Sequence, residues 1–374
     1  MLLARQERDS ITSRGTSIPP VLDLRVAAYA ELLVDRCVGV QPGWQVLVAT
    51  TTEARPLARQ LSRLIAARGA YALPRISFGA SVPADLDWIE AAPTDLASTL
   101  PPLERELLRG VDASIVVLAP EPGREPATAE AERALRAHFL AVRARGRAGE
   151  IPEVRCDFPC PAFAEIAGIP LAEYEDVFYA ACLRDWEFER ERLERIRARF
   201  EPAAEVRLVA PGTELTLSIE GRAVAVDDGH VNVPGGEVYT SPVEDSAEGV
   251  VTFGVPTRRD VDGVRLVFRG GEVVEASAEI GQERLEEALA TDAGARRLGE
   301  LGIGCNEGIS RPLRNVLFAE KMAGTVHLAL GDGFPQLGGR NRSGLHWDLV
   351  CDLRDGGELW ADGELVQRDG AWLL

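Results

Sequence analysis

Positive charge is in deficit: 41 Lys and Arg stand against 59 Asp and Glu, a formal net charge of −18 over 374 residues. A surface this acidic repels phosphate, which excludes the usual nucleic-acid and anionic-membrane partners. No apolar run approaches the roughly 20 residues that span a bilayer. The opening MLLARQERDSITSR carries a three-residue apolar patch, too short for a signal-peptide core. A cytoplasmic protein is therefore expected. Phosphate-cradling loops are missing too: no GxGxxG follows a strand pattern, and GxxxxGK(S/T) does not occur. The six cysteines are scattered at 37, 156, 160, 182, 305 and 351. Only Cys156 and Cys160 are close, and their spacing is not that of a zinc knuckle, so buried free thiols are expected. Histidine is scarce. Any histidine chemistry must use His138, His230, His327 or His346.

What is present is globular. Hydrophobic residues make up 46 % and charged residues 27 %, and the length suits two domains. Residues 1–20 are polar with a Pro-Pro stop and read as a flexible tail. From 21 to about 200, strand and helix patterns alternate: AAYAELLVDRCVGV, WQVLVATT, EARPLARQLSRLIAARG, YALPRISF, ASIVVLAP, a helix over 125–147, and VRCDFP. The apolar ASIVVLAP suits a strand buried on both faces. Such alternation predicts a Rossmann-like parallel α/β domain. The charged helix LRDWEFERERLERIRARF at 183–200 would bridge to a second domain. From 201 to 374 the texture is of short strands with DG and GG turns, interrupted by the helical pattern QERLEEALATDAGARRL. The fold class is thus α/β plus α+β, with a mainly antiparallel C-terminal domain.

The chemistry concentrates in that second half. In LHWDLVC, alternation puts Leu345, Trp347, Leu349 and Cys351 on one face and His346 with Asp348 on the other. TVHLALG repeats the pattern, placing His327 beside small neighbours. GEVYTSP sets Glu237, Tyr239 and Ser241 on a shared face after NVPGG, a tight turn. Glu300 lies in RRLGELGIGCN before a Gly-rich turn, and Glu320 in LFAEKMAG, seven residues before His327. Buried polar pairs on core strands need partners. Glu237, Glu300, Glu320, His327, His346 and Asp348 can supply ligands. A shared carboxylate suits two divalent ions about 3.5–4 Å apart, and this donor set favours Zn²⁺, Co²⁺ or Mn²⁺ over Ca²⁺. Such a pair polarises a carbonyl and makes hydroxide from water near pH 7.

PGTELTLSIEGR, VNVPGGEVYTSPVEDSAEGVV, LGELGIGCN, LFAEKMAGTVHLALG and SGLHWDLVCDLR, in that order, resemble the thermophilic metalloaminopeptidases of the aminopeptidase T and S type. The resemblance spans nearly the whole chain and is loose in YAELLVDRCVGVQPGWQVLV. It implies an N-terminal α/β domain, a C-terminal domain carrying a two-metal site, a homodimer, and release of N-terminal amino acids from peptides with Co²⁺, Zn²⁺ or Mg²⁺ activation. It also implies that Glu237, Glu300, Glu320, His327, His346 and Asp348 are the site residues. Glu300 would bridge the metals and serve as general base.

The sequence departs from the pattern in two places. The gap from Glu320 to His327 is longer than in aminopeptidase T. The family's catalytic tyrosine position holds Phe334 in GDGFP. Losing one oxyanion donor costs roughly 10²–10³ in rate. Tyr239, the only tyrosine of the second half, is the candidate replacement. Two alternatives stay open: a mononuclear Fe(II) ring-cleaving dioxygenase of similar fold, using His327, His346 and Asp348 alone, and a catalytically weakened metal-binding homologue marked by Phe334.

Overall fold

The computed structural model describes residues 23–79, 84–257 and 260–373, so the expected tail at 1–20 lies outside the described residues. The first half is built on strands Gln45–Thr51, Tyr71–Ser77, Ala113–Leu118 and Glu153–Asp157, all parallel. Every residue of Ala113–Leu118 is buried. Alternation explains why: Val46, Val48, Ile115 and Val117 enter one core, while Leu47, Ala49, Val116 and Leu118 enter another. The expected helices appear at Leu24–Glu31, continued by a π-helical turn over Leu32–Val38, at Arg55–Ala67 and at Ala129–Arg147. Gly69 has φ +76° just past the second of these, the left-handed stop that glycine accepts. Further helices, at Leu86–Ala91, Pro102–Gly110, Pro161–Ala167 and Leu171–Cys182, are not announced by the strand–helix alternation.

The parallel sheet has a fifth strand, and it comes from the second half. Asn232–Val233 pairs with Glu153–Asp157. Val233, Ile309, Leu317, Phe318 and Val350 likewise enter the first core. The chain crosses back before building its own sheets. NVPGG is thus more than a tight turn: it includes this short strand, followed by a cis Val233–Pro234 bond.

Two sheets make up the rest. One has eight strands from Glu205–Ala210 to Ala371–Trp372. The other has five, in the order His346–Asp352, Thr325–Gly331, Leu298–Gly304, Glu237–Thr240 and Ala225–Asp227, all antiparallel. Their facing side chains form one core, closed by helices Trp186–Phe200 and Gln282–Leu289.

Two sequence expectations are corrected. The helix expected over QERLEEALATDAGARRL ends at Leu289, because Asp292 Oδ1 accepts hydrogen bonds from the Gly294 and Ala295 N–H groups and turns the chain. The Gly-rich segment after Glu300 is no turn. Leu298–Gly304 is a fully buried central strand. Its glycines serve clearance rather than reversal. All six cysteines are free and buried, as expected.

Candidate metal centre

One face of the five-stranded sheet is ordinary core. Leu301, Ile303, Val326, Leu328, Trp347 and Leu349 pack there. The other face is polar, and register shows how it is accommodated. Gly302 lies between Tyr239 and His327, Gly304 opposite Glu237, Ala329 between Glu300 and Asp348, and Gly331 opposite His346. Each long polar side chain meets a small residue across the ladder. At Gly302 the fit is tight: an added Cβ would lie 2.0 Å from the His327 ring. Val350, on this same face, joins the first core. The polar face therefore looks toward the parallel-sheet half.

Glu300 is the hub. His327 Nε2 lies 3.4 Å from its Oε1 and His346 Nε2 lies 3.3 Å from its Oε2. His327 Nε2 is also 3.6 Å from Glu237 Oε2, and His346 Nε2 is 3.6 Å from Asp348 Oδ1. Two ligand-competent groups result, Glu237–Glu300–His327 and Glu300–His346–Asp348, sharing Glu300. Both imidazoles are oriented from behind. His327 Nδ1–H donates to the Glu320 carbonyl at 3.0 Å, and His346 Nδ1–H donates to the Asp332 carbonyl at 2.9 Å. Each Nε2 thereby turns into the cluster, the usual outer-shell arrangement for a metal-ligating histidine.

The electrostatics are those of an acidic pocket closed around two imidazoles. Burial works against the charged histidines, yet the carboxylates facing them raise both His327 and His346 to about 10. Burial also pushes Glu300 up, but hydrogen bonds from the two imidazoles outweigh it and hold it at about 2. Burial raises Glu237 to about 8 and Asp348 to about 6. A divalent ion would satisfy both imidazole and carboxylate. Glu237 Oε2 is a buried oxygen with no hydrogen-bond partner, a position that a cation satisfies. On these two observations the residues fit a divalent-metal centre.

Glu320 is placed differently from the rest. It caps the short helix Val316–Ala319, and its carboxylate pairs with Lys321 Nζ at 2.7 Å. It is in neither ligand-competent group. Tyr239 is mostly buried, which pushes its hydroxyl above the usual range. Phe334 stands between Tyr239 and His346, with ring centroids 5.4 and 5.7 Å away. Ser241 fixes that loop: it accepts from the Phe334 N–H at 2.9 Å and donates to the Gly299 carbonyl at 2.8 Å. The remaining histidines lie elsewhere. His138 meets the Ala97 carbonyl at 2.8 Å, and His230 pairs with Asp228 at 2.7 Å.

Sequence reasoning missed Lys321 and Asp227. Lys321 is fully buried, and the carboxylates around it hold its ammonium well above the usual lysine range despite burial. Read in sequence, a Lys after a Glu looks like a surface pair, and the Asp of VAVDDG looks like a turn residue. The one available signal was the apolar run around Lys321.

Comparison with known proteins follows the geometry. The profile described as thermophilic metalloprotease (M29) matches residues 22–372. The chain is similar to aminopeptidase 2 of Geobacillus stearothermophilus, 31 % identical over 360 residues, covering 82 % of this chain and 83 % of that protein. These matches define a class, the peptide-bond hydrolases. More narrowly, the chain belongs to the thermophilic metalloprotease family M29. Its fold is similar to that of wild-type AmpT from Thermus thermophilus, with a TM-score of 0.79 at 24 % identity over 94 % of this chain and 99 % of that one. It is also similar to 2,5-dihydroxypyridine dioxygenase from Pseudomonas putida KT2440, with a TM-score of 0.58 at 14 % identity over 95 % of this chain and 98 % of that one. At these identities both likenesses concern fold alone.

Proposed function

We propose that the protein is an aminopeptidase acting at a two-metal centre, held by Glu237, Glu300 and His327 on one side and by Glu300, His346 and Asp348 on the other. The observation that carries this is the placement of Glu300, whose two oxygens face two differently supported imidazoles. Such ions, Zn²⁺, Co²⁺, Mn²⁺ or Mg²⁺, supply Lewis-acid polarisation of a carbonyl and a lowered water pKa. The chain's own residues do the rest. Glu300 is the shared carboxylate, and with both oxygens committed it is a poor proton acceptor. Glu320 is the better general base. It lies outside both ligand groups, and its charge is felt at both Glu237 and Asp348. Tyr239 offers its hydroxyl to the developing oxyanion.

The dioxygenase alternative needs only His327, His346 and Asp348, and it leaves Glu237 and the bridging position of Glu300 without a task. The weakened-enzyme reading has one observation in its favour, the Phe334 ring between Tyr239 and His346. A homodimer belongs to the same proposal through the resemblance, and a cytoplasmic location with a first domain over 21–200 and a second over 201–374 belongs to it through the sequence pattern.

The test is p-nitroaniline release from aminoacyl-p-nitroanilides by metal-stripped protein, with and without Co²⁺, Zn²⁺ or Mn²⁺. Turnover that requires metal and is absent in Glu300→Gln supports the proposal. Two ions bound with no turnover under any metal would overturn the peptidase mechanism. Glu320→Gln separates the roles: as base it keeps its metal and loses turnover, whereas as ligand it loses both.

A further inference from the structure

Lys321 has a fully buried side chain among three carboxylates. Its Nζ donates to Glu320 Oε1 at 2.7 Å and to Glu237 Oε1 at 2.9 Å, and it lies 3.5 Å from Asp227 Oδ2. Burying an ammonium is costly unless it is paired and hydrogen-bonded. This one is paired three times.

The division of labour on Glu237 is the telling feature. Oε1 is taken by Lys321. Oε2 has no hydrogen-bond partner and faces His327 Nε2 at 3.6 Å. A free carboxylate can hold a metal through one oxygen or both. This one is held by its far oxygen. We infer that Lys321 is the positioning residue of the metal centre: its ammonium locks Glu237 as a one-oxygen ligand that reaches the centre through Oε2. The inference rests on the two-metal reading above.

The backbone around Lys321 supports the assignment. Its carbonyl accepts from the Asn306 N–H at 2.8 Å, and its own N–H donates to the Phe318 carbonyl at 3.2 Å. Asn306 is itself tied to Ala181 and Gly235 by its side-chain amide, at 3.0 and 2.9 Å. The backbone that carries the ammonium is thus tied to both halves of the molecule. Charge balance agrees. Asp227, Glu237 and Glu320 contact the ammonium while Glu300 and Asp348 face the imidazoles, so the centre holds five carboxylates and one ammonium. Two divalent ions with neutral imidazoles close the difference. A second lysine in place of a metal would not, and neither would a site lacking Lys321.

The experiment is Co²⁺ titration of metal-stripped wild type and Lys321→Met, followed by calorimetry and by the visible absorption of bound Co²⁺. Wild type should bind two ions per chain. In Lys321→Met one of them should weaken by about ten- to a hundredfold, the loss typical of a removed outer-shell partner. Its absorption band should shift while the other ion keeps its affinity and spectrum. Two ions with wild-type affinities and spectra in the folded variant would overturn the inference, and so would tighter binding, which would make Lys321 a mere repulsive charge. A wild type that binds no ion would overturn the metal reading itself. Should the variant fail to fold, a crystal structure of Co²⁺-loaded wild type decides: one-oxygen coordination by Glu237 with Lys321 on its other oxygen supports the inference, and two-oxygen coordination with Lys321 displaced refutes it.

Discussion

The parallel sheet and the five-stranded antiparallel sheet both have central strands with no exposed residue, Ala113–Leu118 in the first, Leu298–Gly304 and Thr325–Gly331 in the second. Their burial means different things. Ala113–Leu118 is sealed on both faces by aliphatic side chains that divide between two cores. Leu298–Gly304 is sealed by such side chains on one face only. On the other it carries Glu300 and presents Gly302 and Gly304 to His327 and Glu237. A strand can be wholly buried for packing or for chemistry. What separates the two is the residue opposite each side chain: an aliphatic group of Gln45–Thr51 in one sheet, and a glycine or alanine that leaves room for imidazole or carboxylate in the other.

The largest break in this contrast is expected from Glu300→Gln. Turnover should fall below detection and metal content should drop at both ligand groups, with the parallel sheet untouched; unchanged metal content by elemental analysis would refute the hub role. Next comes Tyr239→Phe. If its hydroxyl serves the oxyanion, kcat should fall about 10²–10³-fold with metal retained, and the converse Phe334→Tyr should raise kcat. Unchanged turnover in Tyr239→Phe would remove that residue from the mechanism.

Gly302→Ala tests clearance directly. The new Cβ would meet the His327 ring at 2.0 Å. Overpacking should cost about 1–3 kcal/mol and displace one ion, read by thermal unfolding and metal content together. In the parallel sheet, Ile115→Val should cost about 0.5–1.5 kcal/mol and leave metal content and kcat alone. That is the smallest expected effect and the control for the rest.

A pH series sharpens the contrast further. In metal-free protein His327 and His346 are raised from 6.5 to about 10. A raised folded-state pKa adds stability that is complete below the unfolded value and is lost as pH rises through the folded one. With chelator present, unfolding temperature should therefore decline between about pH 6.5 and pH 10 through these histidines. Saturating Co²⁺ should flatten that decline, because metal and proton compete for the same nitrogens. An equal decline with and without Co²⁺ would place the metal elsewhere.

Much of the site was legible in one dimension. Period-two alternation in LHWDLVC and TVHLALG separated His346, Asp348 and His327 from their apolar neighbours, and the separation follows from strand geometry alone. The structure brings these residues together with Glu237 and Glu300. Glu300 was harder to place, because glycines around a glutamate have the same local signature in a turn as in a strand that must clear bulky neighbours. Lys321 and Asp227 gave no sign of their partnership. They lie far apart in sequence, and each alone reads as solvated charge. Asn232–Val233 was hidden for the same reason, since a two-residue strand pairs with its partner only by long-range register.

The sequence by itself determined the periodicities: which residues alternate in and out, where the polar faces of the strands fall, and the surplus of acid over base. These are local properties, set by backbone geometry and composition. Only the tertiary structure decided which strands lie side by side. That choice puts glycine opposite histidine, aims two imidazoles at one carboxylate, and buries a lysine among acids from three separate segments. Such contacts depend on register between distant strands, and no local pattern encodes it.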